Sequence, residues 1–220
     1  MDTATVRNPH LLYAQAIKGR FTGRGIGIID MIQMIEVAQS LMVLEKSKSA
    51  NPNDYIAYRG WFERYLNWVT QHKYGIDEMN ALNNHGTCWT MQVAGFARFT
   101  QNDSLLNICR QRYKNLHLPG QMAVDGGFPK ELARTKPYGY SLFNLDAMAT
   151  LCQMLSDKQN NVWDFSLADN RSIQKGISFL YPFVADKNKW TFKQDVMYWD
   201  NWPVAHPFLI FGDIALNDQD

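Results

Sequence analysis

Two short stretches hold the side chains best suited to chemistry. The first reads Asn83-Asn84-His85-Gly86-Thr87 at the head of a helix-periodic apolar run. It sets two amides and an imidazole where first-turn N–H groups lack intrahelical partners, a natural place to hold a carboxylate. Taken alone it is weak, because asparagine is a common cap and an isolated histidine more often packs than reacts. The second reads Arg134-Thr135-Lys136-Pro137-Tyr138-Gly139-Tyr140, again just before a helical run, and sets two cations beside two phenols. A guanidinium beside a phenol favours the phenolate, which makes Tyr140 a candidate for proton transfer. A basic, aromatic loop clipped to the surface explains this stretch equally well.

The elements that must position these groups are helical. Apolar residues recur at spacings of three and four over residues 28–44, 54–72, 86–100, 104–114, 140–155, 172–183 and 204–216. Asn53 or Asp54 is expected to cap the second run. Strand signals are limited to short pieces such as residues 189–192. The tract 116–137, with Pro119, Gly120, Gly126, Gly127, Pro129 and Pro137, reads as a long excursion without regular structure, and such excursions are often functional. No repeat or low-complexity linker divides the chain, so residues 1–220 are expected to form one all-α domain of successive antiparallel helix pairs.

Composition narrows the classes of partner. The 220 residues are 46% apolar, enough to bury a core. With 22 Lys and Arg against 21 Asp and Glu, the net charge of +1 draws neither nucleic acid nor an anionic membrane as a whole, and affinity for a polyanion requires a local basic cluster. The 7 Trp and 10 Tyr suit sugar stacking, although most are expected to fill space between helices. Cys88, Cys109 and Cys152 read as buried hydrophobes rather than a disulfide or zinc framework. No stretch reads as long and apolar enough to cross a bilayer, and residues 1–8 lack the pattern of a signal segment, which places the chain as given in the cytosol.

Taken together, Asn83-Asn84-His85-Gly86-Thr87 and Arg134-Thr135-Lys136-Pro137-Tyr138-Gly139-Tyr140-Ser141-Leu142-Phe143-Asn144-Leu145-Asp146 resemble the alginate lyase superfamily, most closely its glucuronan lyase branch. Further likeness lies in Asn8-Pro9-His10-Leu11-Leu12-Tyr13-Ala14-Gln15-Ala16-Ile17, in Gly23-Arg24-Gly25-Ile26-Gly27-Ile28-Ile29-Asp30 and in Trp202-Pro203-Val204, so it spans essentially the whole chain. The run Cys88-Trp89-Thr90-Met91-Gln92 departs from the Trp-Tyr-Asp-Val-Gln type expected of relatives. The resemblance implies an (α/α) toroid of helical hairpins, expected to be incomplete at the N-terminus because the chain is short and its Asn8-Pro9 motif is internal in relatives. It also implies a periplasmic or secreted location and an acidic polysaccharide as partner, with no cofactor or metal. Oligomeric state stays open.

By the same resemblance Asn84 and His85 take the places of the family's Asn-His pair, Arg134 that of its arginine and Tyr140 that of its catalytic tyrosine. The chemistry asks for such groups. Removing the C5 proton of a uronate adds charge beside a carboxylate, which amide, imidazole and guanidinium neutralise, while Tyr140 protonates the departing O4. Tyr138, Lys136, Arg24, Tyr13, Gln15 and His206 are candidate substrate contacts. A packed role is favoured for His206, and His10 belongs to the same opening segment as Tyr13. His72 and His117 read as surface or loop residues. Gly23-Arg24-Gly25-Ile26-Gly27 lacks the preceding strand of a nucleotide loop and reads as a tight helix start. Two other functions remain open: a glycoside hydrolase, for which Asp125, Glu131 and Asp146 are the available carboxylates, and a polyuronate-binding remnant without turnover.

Overall fold

The computed structural model describes residues 8–217. A 3-10 helix, Gly25–Gln33, runs directly into α1, Met34–Leu44. There follow α2 (Pro52–Gln71), α3 (Lys73–Met79), α4 (Asn84–Phe99), α5 (Asp103–Arg112), a π turn (Tyr113–His117), α6 (Leu118–Gln121), α7 (Pro129–Leu132), α8 (Pro137–Leu155), α9 (Ile173–Ala185) and α10 (Pro207–Asn217). Among the described residues no strand forms; the nearest approaches are isolated bridges, Ile17 with Phe21 and Ser166 with Ser172. The stretch 189–192 is irregular. Residues 1–7, most of the segment read for a signal, lie outside the described residues.

The centre of the molecule is α4, which is buried nearly all round and packs against α8, α5, α1, α2 and α3. A helix buried on every side must have its apolar side chains packed and its polar ones hydrogen-bonded. On one flank the rings of Phe62, Tyr65, Phe96 and Phe99 interlock, with Phe62 and Phe96 centroids 4.9 Å apart. Each such ring removed from water contributes about 2 kcal/mol. The other flank is polar: buried Gln121 accepts from Thr87 and Asn144 and donates to His117, whose Nε2 meets Thr90. This network ties α4 to α8 through the tract expected to be irregular, which in fact contains the π turn, α6 and α7. His117, read as a surface or loop residue, is 3% exposed at its heart. Burial, then nearby Arg112, lowers its pKa to about 3 and keeps the ring neutral.

Local chemistry sets several boundaries differently from the periodicity. α2 begins with Pro52 at its first position and Asn51 as cap, whose side chain accepts from Asn53 N–H; proline's fixed φ favours that start. The short α3 was not expected; it is capped by His72, whose Nδ1 accepts from Tyr74 N–H. Contrary to the sequence reading, Gly25–Leu44 is one continuous helical run of 20 residues with mean hydropathy 1.5, long and apolar enough to cross a membrane. Here it works as a core element: Ile28, Met31, Ile35 and Ala38 are buried, Ile28 O takes a hydrogen bond from Gln92 across the core, and Asp30 and Glu36 sit within it.

The start of α8 is fastened from far along the chain. Lys136 supplies no side-chain cap. Instead buried Asp195 accepts from Tyr138 N–H and Gly139 N–H, each at 2.9 Å, and from Trp202 Nε1–H at 2.9 Å. A carboxylate at a helix N-terminus satisfies free donors and complements the dipole. The indole lies so close to Gly139 that a Cβ there would stand 2.1 Å from its ring.

Candidate active site

The first turn of α4 and the α7–α8 connection meet at one carboxylate. Asn83 caps α4 by accepting His85 N–H at 3.2 Å. The next free donor, Asn84 N–H, reaches Glu131 Oε1 at 2.6 Å. The first-turn N–H expected to hold a substrate carboxylate therefore holds the protein's own, because α7 brings Glu131 against it. Glu131 is 1% exposed, and burial raises its pKa above the usual carboxyl value despite the Asn84 N–H and Arg134, which act the other way.

Arg134 joins the two halves of the site. Its Nη1 donates to Glu131 Oε2 at 3.1 Å and to Asn84 Oδ1 at 3.3 Å, and its guanidinium lies 3.4 Å from the centroid of the Tyr140 ring. Asn84 is buried with Oδ1 engaged, and its Nδ2 has no partner among the described residues. The Arg134 side chain is 29% exposed, so it remains in reach of a ligand. Lys136 sits at the rim with Nζ 5.4 Å from the rings of both Tyr140 and Tyr198. Tyr198 is exposed and holds a left-handed φ of 64°.

His85 adjoins Asn84 and is partly exposed, with Nδ1 2.7 Å from Oε1 of buried Glu78 at the end of α3. A cavity of about 360 Å³ beside it is lined by Gly25, Ile26, Asp77, Glu78, Ala81, Asn83 and His85, which brings the glycine segment to the histidine. Thus contacts join Asn84 to Arg134 and Arg134 to Tyr140, while His85 adjoins Asn84 in the chain and turns its Nδ1 to Glu78.

Other candidates are placed differently. Tyr138, read as a substrate contact, is 1% exposed, donates its hydroxyl to Phe183 O and packs on Trp190 and Trp199; it belongs to the core. His206 is buried, with Nδ1 on Asp146 and Nε2 on Pro203 O, which leaves no ring nitrogen for a sugar. Gln15 and Arg24 bind each other at 3.1 and 3.2 Å, and Gln15 also reaches Asp30. Tyr13 is exposed, and His10 stacks on Trp68. No contact joins these four to the Arg134 cluster. The carboxylates needed for hydrolysis are occupied structurally: Asp125 holds Gly127 N–H, Asp146 holds His206 and Phe208 N–H, and Glu131 holds Asn84 and Arg134. Cys88, Cys109 and Cys152 are all buried and free.

Comparison with known proteins agrees with the all-helical architecture. The architecture is an all-α fold of the helical toroid type, shared with solved structures. An alginate lyase from Bacteroides ovatus matches with a TM-score of 0.89 at 30% identity, covering 99% of this chain and 58% of that one. Alginate lyase A1-III from Sphingomonas species A1 matches at 0.69 and 14% identity, covering 89% of this chain and 55% of that one. A variant of A1-III complexed with tetrasaccharide matches at 0.63, covering 78% and 48%. At 14% identity the likeness shows the fold alone. The family model described as alginate lyase matches residues 1–190, and the chain belongs to that family. No curated protein matches it.

Proposed function

We propose that this chain is a polysaccharide lyase that cleaves a β-linked uronan, glucuronan or an alginate-like polymer, by β-elimination. The observation that carries the reading is the double engagement of Arg134, hydrogen-bonded to Asn84 and stacked on Tyr140. A uronate carboxylate placed against this guanidinium and the Asn84 Nδ2, with His85 beside them, has its extra charge neutralised by those donors as the C5–H bond breaks. The electron pair forms the C4–C5 double bond, the C4–O4 bond breaks, and O4 takes a proton from Tyr140. D-glucuronate and D-mannuronate share their configuration at C4 and C5, with H5 and O4 on one face. For either sugar a single group on that face, Tyr140, serves both proton transfers. Lys136 beside Tyr140, and Arg24, Tyr13 and Gln15 next to the glycine segment, are the proposed contacts for neighbouring sugars. A periplasmic or secreted location, where the polymer can be met outside the inner membrane, is part of this reading.

The test is a panel of glucuronan, polymannuronate and polyguluronate, followed by ultraviolet absorbance of the unsaturated product. The expected result is product from at least one polymer and none from Tyr140→Phe, which still binds it. Binding without product would leave the remnant reading, and new reducing ends without absorbance would leave the hydrolase.

A further inference from the structure

We infer that Glu78 is a positioning residue that fixes the tautomer of His85, so that Nε2 is the unprotonated nitrogen of the imidazole. The inference rests on the lyase reading for its kinetic consequence but not for its geometry. The Glu78 side chain is 1% exposed and that of His85 18%, so one end of the pair is anchored in the protein and the other opens outward. The 2.7 Å contact is between Glu78 Oε1 and His85 Nδ1. An ionised carboxylate only accepts, so Nδ1 carries the proton and donates it. That leaves the lone pair on Nε2, the nitrogen with no partner among the described residues.

The carboxylate is held for this purpose by its surroundings. Glu78 occupies the last turn of the short α3, and Gly75 in the same helix lies so close to Val69 that a Cβ would meet its carbonyl oxygen at 1.9 Å. His85 in turn is fixed by Asn83, which takes its backbone N–H. A histidine side chain in water favours the opposite tautomer, with the proton on Nε2, and in that form the outward nitrogen is a donor. With Glu78 in place it is an acceptor, able to take a hydrogen bond from a sugar hydroxyl and so to seat the ring for proton transfer at Tyr140. The consequence is a residue that touches no substrate yet decides what His85 can do to one.

Long-range proton–nitrogen NMR of the intact chain reads the tautomer directly. In the native protein at a pH where the ring is neutral, His85 is expected as a single Nδ1–H form; an unprotonated Nδ1 overturns the inference whatever the activity. Glu78→Ala is expected to shift the ring toward Nε2–H and to lower kcat by roughly 100-fold while KM changes less than about threefold. A folded Glu78→Ala protein with native kcat, or with the native tautomer, overturns it too. If that variant fails to fold, Glu78→Met, of similar volume and without an oxygen to accept from Nδ1–H, takes its place under the same criteria. Absence of product from the native chain on every polyuronate sinks the lyase reading, and the native spectrum still decides the role of Glu78.

Discussion

Replacing Glu131 by glutamine separates two jobs that one carboxylate performs. In the native site Oε1 takes Asn84 N–H at 2.6 Å and Oε2 takes Arg134 Nη1 at 3.1 Å. Glutamine keeps an oxygen for the first and puts an amide N–H where the second acceptor stood, so donor faces donor at Arg134. The lost contact involves a guanidinium side chain that is 29% exposed, and after solvent screening it is worth about 0.5–1.5 kcal/mol. Against that loss stands the cost of burying a charge, which dominates here because it raises the Glu131 pKa in spite of both partners. The neutral amide escapes this cost, so the net change in stability at neutral pH is expected within about 1 kcal/mol of zero.

The sign of the pH dependence follows from the same shift. A carboxyl whose folded pKa lies above its ordinary 4.5 contributes stability that is full below that value and lost as pH rises through the folded one. Glutamine has nothing to lose, so Glu131→Gln gains on the native protein between mildly acidic and neutral pH. Turnover moves the other way, by about 10–100-fold downward, because Arg134 is no longer held against Asn84 and Tyr140. Urea denaturation at the two pH values, paired with initial rates of unsaturated product, measures both. A variant that loses more than about 3 kcal/mol at neutral pH, or that keeps native kcat, refutes the reasoning.

Three further outcomes follow. Gly139→Ala places a methyl against the Trp202 indole and is expected to cost about 2–3 kcal/mol in urea denaturation, with loss of activity as α8 shifts. His117, held neutral by burial with a pKa near 3 against an ordinary 6.5, contributes stability that is full above 6.5 and lost as pH falls toward 3; His117→Gln should flatten the acid limb of the stability curve. The thiols of Cys109 and Cys152 are pushed up to about 12 by burial and that of Cys88 is also raised, so a thiol reagent at neutral pH should label none until the chain is unfolded.

What the sequence made legible was the part written in period and in motif. The long helices appear in it because α2, α4 and α8 each repeat apolar residues over four or more turns, and the Asn84, His85, Arg134 and Tyr140 motifs sit at helix starts. The hidden part was carried by single residues in short elements. α3 has seven residues with a glycine inside, too few for a period to emerge, and Glu78 went unnoticed with it. Glu131 was visible only as one of several acidic residues near a loop, because its partner Asn84 lies 47 positions away. Tyr138 was misread because an aromatic tip looks alike in sequence whether it faces a sugar or a carbonyl such as Phe183 O, whereas His206 takes the packed role favoured for it, against Asp146 and Pro203 O. Membrane-span length was missed because the 3-10 segment and α1 join end to end.

Asp195 also imposes an order on synthesis. During translation Tyr138 and Gly139 are made 57 and 56 residues ahead of the carboxylate that receives their N–H groups. Until it arrives, those two N–H groups have no protein acceptor in the first turn of α8. The opening turn of α8, which carries Tyr140, is thus completed only when the segment around Asp195 and Trp202 docks on it.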